Sequence, residues 1–318
     1  MNALCNRFHL FPKGIKLIGF LLFPAMGMAA NNKALLFPFT FGNTNVENAI
    51  IQKYEAEPEA WVEEGLLLVA FCYARNGQSN KMEKVWGNLS EQVVSDYIRM
   101  LKVDASNPHK DFLLRLLATN GVNRIIFPTA SHSTLKAIID CYKANPGIWD
   151  VGQLDFAGGC HYNDGDFSGS AKAYERKFEL APTDADTIQA FVTALLASED
   201  YPKAEMVAAN AWEMTQNARA LEYLSIVKIM RRDVKGLAPL IDDLLKHQKE
   251  SEQIRIILLG YALEADDIKL AKKIYDGVKT SVNKEDLEEN ADLRRAIVKA
   301  SLYFEKLGEL TSETEDSK

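Results

Sequence analysis

The sequence predicts an all-α protein in which antiparallel pairs of helices follow one another along the chain. The first observation is a corner that recurs at intervals of 34, 33 and 34 residues, each time as an acidic residue before the start of a helix. The second is the helical spacing of mostly small or apolar residues on both sides of every corner. Self-similarity with a period of this length is typical of stacked helix pairs. The four corners carry Asp166, Asp200, Asp233 and Asp267.

The helix that follows each corner presents a face of mostly small or aliphatic residues. Positions four, seven and eleven residues after the aspartate lie on one side of an α-helix, so this face is expected to pack against neighbouring helices. In the four units it consists of Ser170, Ala173 and Lys177; Ala204, Val207 and Ala211; Leu237, Leu240 and Leu244; and Ala271, Ile274 and Val278. The helix before each corner is equally regular, because an apolar or aromatic residue stands nine and four residues before the aspartate.

Residues 148–283 resemble the tetratricopeptide-repeat family, whose unit is 34 residues long and forms two antiparallel helices. The first unit matches best, with Gly158, Gly165-Asp166-Phe167, Ala173-Tyr174, Phe178 and Pro182. The later units depart from it, with Val192, Ser225 and Leu259 in place of Gly158 and with Gln216, Lys249 and Asn283 in place of Pro182. The resemblance implies four helix-turn-helix repeats that stack as a right-handed α-solenoid.

The resemblance also implies where a partner would bind, because in this family the first helix of each pair lines the concave surface. The implied lining is Asp155, Tyr162, Gln189, Thr193, Leu196, Glu222, Ile226, Ile229, Ile256 and Leu263. This set is largely apolar or acidic, which favours an apolar partner face over a C-terminal carboxylate held by Lys, Arg and Asn. Two alternatives stay open. Either Tyr162, Leu196 and Ile229 are partly exposed in a groove, or they belong to the core because the superhelix is tight or the N-terminal arm fills the groove.

Residues 31–147 are predicted to be helical, either as degenerate repeats of the same stack or as a separate small domain. An apolar extended segment at 35–41, punctuated by Pro38, would form a docking strand or an arm laid on the helices. Helices are predicted over 61–74, 82–103 with a break at Gly87-Asn88, 111–118 and 134–144. At the other end, residues 284–310 are expected to form a capping helix, from Leu287 to Leu307, with a polar outer face, followed by a flexible polar tail at 311–318.

Residues 1–30 have the order of a secretory signal peptide. Arg7, Lys13 and Lys16 precede an apolar run at 17–23, and small residues lead to a cleavage site after Ala29 or Ala30. A retained anchor is the less favoured alternative, because a spanning helix needs roughly 20 apolar residues. The net charge of −7 disfavours nucleic acid and anionic lipid as partners. These features predict a periplasmic or secreted protein with no stable membrane insertion after cleavage.

The chain carries no motif for catalysis, a cofactor or a metal, and no such residue is predicted. The histidines are scattered over different elements, with His161 expected as a packed histidine, and adjacent carboxylates on a helix point in different directions. After cleavage Cys72, Cys141 and Cys160 remain, either as three buried thiols or with a bridge between Cys141 and Cys160.

The function predicted from these features is that of an exported helical-repeat scaffold, not an enzyme, that binds a protein partner in the bacterial envelope. One alternative is a subunit of an envelope or exopolysaccharide export assembly. Another, from a different class, is a glycan-cleaving enzyme built on an α-superhelix.

Overall fold

A computed structural model of the chain describes residues 38–90, 92–95, 124–126, 131–233, 235–265 and 267–315, with side chains up to residue 306 except at 38, 64 and 124–126. The described part is predominantly helical and its neighbouring helices pack in pairs, as the sequence predicted. The signal peptide at 1–30, the helix at 111–118 and the second half of the helix at 82–103 lie outside the described residues. The chain divides into two compact units at Ser198 and Glu199, and each is described by itself.

The N-terminal unit, within residues 34–198, combines helices with one short pair of antiparallel strands. Its strands are β1 (Pro38–Thr40) and β2 (Arg124–Ile126). Its helices are α1 (Thr44–Ala56), α2 (Glu64–Arg75), α3 (Ser79–Trp86), α4 (His132–Ala144), α5 (Val151–Asn163), α6 (Phe167–Leu180) and α7 (Ala185–Ala197). Helix α2 packs against α3, and α6 packs against both α5 and α7.

The extended segment predicted near residue 38 is confirmed over β1, which lies against α5. The Phe39 side chain is fully buried, and its ring meets the ring of Phe156 edge to face at 5.1 Å between centroids. The Gln153 Nε2 donates a hydrogen bond of 2.6 Å to the carbonyl oxygen of Thr40. A ring contact in the core and a hydrogen bond to the backbone therefore hold β1 against α5, the first helix of a pair.

Two helix pairs of the N-terminal unit are introduced in the same way. A 3-10 turn that begins with a proline precedes a buried tryptophan, first at Pro58 and Trp61 and then at Pro146 and Trp149. The corner between the two helices then contains a glycine in the left-handed region, Gly77 at φ +68° and Gly165 at φ +83°. Residues with a Cβ rarely adopt that conformation. The pair α2–α3 thus repeats the local construction of α5–α6.

The C-terminal unit, within residues 199–318, is helical throughout its described part. Its helices are α8 (Tyr201–Thr215), α9 (Ala218–Met230), α10 (Ile241–His247), α11 (Glu252–Glu264), α12 (Ile268–Ser281), α13 (Lys284–Glu289) and α14 (Ala291–Glu315). A 3-10 helix, Lys235–Leu240, precedes α10. Helix α9 packs against α8, and α11 packs against α12 and α14.

Each predicted corner aspartate caps the helix that follows it. The backbone N–H of Gly169 donates to Asp166 at 2.9 Å, and that of Gly236 donates to Asp233 at 2.8 Å. Equivalent bonds run from Lys203 to Asp200 at 3.3 Å and from Leu270 to Asp267 at 3.1 Å. A capping side chain satisfies one of the N–H groups that the first turn leaves unpaired. The predicted corners are therefore confirmed by their hydrogen bonds.

The predicted packing faces are confirmed at nearly every position. Eleven of the twelve residues on these faces are buried; the exception is Leu240, which is half-buried. That exception has a local cause. Pro239 has no N–H and its ring crowds the preceding turn, so the second helix of the third repeat begins as a 3-10 helix and continues as α10 in place of one long α-helix.

The helix predicted from Leu287 to Leu307 is two helices. The Asn290 side chain accepts hydrogen bonds from the backbone N–H groups of Asp292 and Leu293, so α14 begins after this residue and α13 ends before it. The tail predicted to be flexible from residue 311 continues α14 as far as Glu315. The asparagine cap thus separates two helices, where the apolar periodicity alone predicts one continuous helix.

The three described cysteines are buried free thiols, so the alternative of a bridge between Cys141 and Cys160 is wrong in this structure. The Cys141 thiol faces the carbonyl oxygen of Ala49 at 3.7 Å. Burial raises its pKa to about 12. A thiol with so high a pKa is mostly protonated and therefore unreactive.

Candidate functional site

The candidate site in the N-terminal unit is one side of the first helices α5 and α7. The residues predicted to line a partner surface here are Asp155, Tyr162, Gln189, Thr193 and Leu196, and we call them the first-helix face. Within each helix their spacing of three, four or seven residues places them on one side. All five residues are half-buried.

Asp155 of the first-helix face is held by an ion pair. The Nζ of Lys177, whose side chain is almost fully buried, lies 2.7 Å from the Asp155 carboxylate and 3.7 Å from that of Asp184. Lys177 stands on the predicted packing face of α6, so its burial beside two carboxylates explains a charged residue at an otherwise small or apolar position. The Asp155 carboxylate is thus already neutralised by the fold.

Tyr162 provides the aromatic part of the first-helix face. Its ring contacts the ring of Phe167 in an edge-to-face arrangement, with 5.0 Å between the centroids. Partial burial raises the pKa of its hydroxyl, which is therefore neutral over the whole physiological range. Leu196 adds an aliphatic side chain at the equivalent position of α7.

The C-terminal unit does not present the remaining predicted residues in the same way. Glu222 and Leu263 are half-buried, whereas Ile226, Ile229 and Ile256 are buried. Of the two alternatives left open for Ile229, the structure favours the core, and Ile226 and Ile256 do not form an open lining.

The physical reason is the number of elements that surround these helices. Helix α9 is contacted by α8, α10, α11 and the 3-10 helix, and α11 is contacted by α9, α10, α12 and α14. Consequently every residue from Ile254 to Ala262 is buried. Glu222 accepts a hydrogen bond of 2.7 Å from the Ser251 hydroxyl, and burial raises the pKa of its carboxyl group.

His161 has the structural role that the sequence predicted. It is buried, and its Nδ1 lies 2.9 Å from the carboxylate of the capping residue Asp166. Its ring meets that of Tyr142 edge to face at 5.7 Å. Burial lowers the pKa of the imidazole in spite of the neighbouring carboxylate, so the neutral ring is favoured. Among the residues that the structure describes, no group of His, Cys, Asp or Glu could hold a metal ion.

Comparison of the chain with protein-family models, with curated proteins and with solved structures gave no match in any of the three. Among the helices in the described ranges, none is long and apolar enough to cross a membrane.

Proposed function

We propose that the chain is an exported scaffold of the bacterial envelope that binds a protein partner through its first-helix face. We further propose that its pairs stack as a right-handed α-solenoid of the tetratricopeptide type. The observation that supports partner binding is the half-burial of all five residues of that face, Tyr162 and Leu196 included. Such residues are held by the fold and still offer apolar area to a partner.

The chemistry of the first-helix face favours a partner that presents apolar side chains and amide groups. Tyr162 and Leu196 offer apolar area, and Thr193 carries a hydroxyl group beside it. The one carboxylate of the face, Asp155, is already paired with Lys177. An extended peptide or an amphipathic helix with few charges satisfies these groups best.

The test compares two substitutions of leucine by serine in the N-terminal unit. Leu196→Ser changes the first-helix face, and Leu180→Ser changes a leucine that is 55% exposed at the end of α6. We expect Leu196→Ser to reduce capture of a specific envelope protein at least tenfold, because the change removes apolar area that the partner would bury and leaves a hydroxyl group in its place. Quantitative mass spectrometry of proteins retained from envelope extracts provides the measurement.

The control variant Leu180→Ser should capture the same protein as the parent. Each substitution should cost no more than about 1 kcal/mol of stability, since neither side chain is fully buried. Equal capture by both variants, with both folded by circular dichroism, would remove the first-helix face from the proposal.

Export has a separate test, because it rests on residues 1–30 alone. We expect the intact mass of the protein purified from its native host to lack 29 or 30 N-terminal residues, since cleavage after Ala29 or Ala30 fits the small residues there. A parallel sample from a host in which export is blocked should retain them. The full-length mass in both samples would contradict export.

A further inference from the structure

The C-terminal helix α14 carries apolar side chains on the side that faces away from its unit. Its buried side consists of Leu293, Ala296, Ala300 and Phe304, and the helix packs against α11 and α12. On the opposite side Val298 is 54% exposed and Leu302 is 53% exposed. A polar outer face was expected here, because a helix that closes a stack meets water. The expectation is wrong at these two positions.

The exposed side of α14 has an ordered sequence of residue types. Arg295, Val298, Leu302 and Glu305 are all exposed and are spaced by three, four and three residues, which places them in one stripe. At 100° per residue the stripe lies opposite Ala300, the centre of the buried side. The order along the stripe is a cation, two apolar residues and an anion.

This order makes the stripe complementary to itself in the antiparallel direction. Positions 295 and 305, and positions 298 and 302, are symmetric about residue 300. Consider a two-fold axis that crosses the exposed stripe at the level of residue 300. It would bring Val298 against Leu302 and Arg295 against Glu305 of the second helix, and each contact would occur twice. In the single chain Arg295 pairs with Asp292 on the surface, a contact that is easily exchanged.

We propose that α14 docks against α14 of a second copy of this chain, antiparallel and around a two-fold axis. The occupant is a second copy because the apolar and the charged positions match under the same symmetry operation. This inference does not depend on the proposed function of the first-helix face, which lies in the other unit.

The stripe is small. One pair of helices buries less than the roughly 1,200 Å² of a standard interface, so the proposed dimer belongs to the class of weak, transient contacts. Arg294 would approach Lys306 of the second copy at the rim, and this repulsion also limits the affinity. Association should therefore depend on protein concentration and on salt.

Sedimentation of the purified full chain between about 1 and 300 µM tests the proposal. We expect a monomer–dimer equilibrium that Leu302→Ser weakens at least tenfold. The matched control is Met214→Ser, because Met214 is an apolar residue of α8 that is 51% exposed and lies outside the stripe. That variant should associate like the parent.

Charge reversal tests the antiparallel register. Arg295→Glu or Glu305→Arg alone should weaken the dimer about tenfold, because each creates two like-charge contacts. The double variant, with both reversals, should restore association, since the opposite charges meet again. A monomer over the whole concentration range would overturn the proposal. So would a dimer that Leu302→Ser leaves intact, or one that the double reversal fails to restore.

Discussion

Replacing Ile229 with serine should lower the free energy of unfolding by about 2–5 kcal/mol, because the change leaves a cavity and buries a hydroxyl group. Ile229 is only 6% exposed and lies in α9, which four other elements of its unit contact. Urea denaturation followed by circular dichroism measures the loss. A loss of unfolding free energy of this size is expected for a core residue and not for a surface residue that contacts a partner.

The comparison for this prediction is Leu196→Ser, because Leu196 occupies the same position relative to its corner, four residues before the aspartate. Leu196 is half-buried, so its replacement should cost less than about 1 kcal/mol. A small and similar loss in both variants would contradict the burial of Ile229. It would also restore the predicted groove in the C-terminal unit.

The corners were predictable from the sequence because everything that forms them is local. Asp166 and Asp233 bind N–H groups three residues ahead, so a residue type at one position indicates where the helix begins. The residue before the aspartate is Gly165, Glu199 or Arg232 in three corners, and each adopts a positive φ. Only the first of these is a glycine, so the left-handed turn at the other two was not visible in the sequence.

Whether the residues of the predicted groove are exposed or buried was not predictable from the sequence. Ile229 and Ile256 fit the pattern of a first helix as well as Leu196 does, and periodicity cannot say what covers that side. Helix α14 follows α11 by more than 25 residues and packs against it, so the burial of α11 depends on a distant segment. The first residue of α14 depends on the asparagine cap at Asn290.

The N-terminal region contains a second repeated spacing. Pro58 and Trp61 have the same spacing as Pro146 and Trp149, and the two sets stand 88 residues apart. In the structure both tryptophans are buried and both introduce a helix pair with a glycine corner. This spacing identifies α2–α3 as a pair of the same construction. At the corner of this pair Gln78 occupies the position that an aspartate has in the four repeats, so the corner pattern does not include it.

The close approach of α5 and α6 leads to the second prediction, that Gly158→Ala destabilises the protein by about 1–3 kcal/mol through overpacking. A Cβ at Gly158 would lie 2.6 Å from the Cζ atom of Tyr174. The Tyr174 ring is rigid and 1% exposed, and its hydroxyl donates to the carbonyl oxygen of Asp155 at 3.4 Å, so the ring cannot move aside cheaply. Thermal and urea unfolding measure the effect.

The matched control is the same substitution in a helix without such a contact, Gly277→Ala. A Cβ at Gly277 would meet only Leu245, at an ordinary 3.6 Å. This change should stabilise the protein by about 0.5–1 kcal/mol, because alanine has the higher helix propensity. The same intrinsic gain is present at Gly158, so a loss of stability there isolates the contact with Tyr174. Stabilisation by both substitutions would mean that the helices α5 and α6 can separate without cost, and that the glycine is not required for their packing.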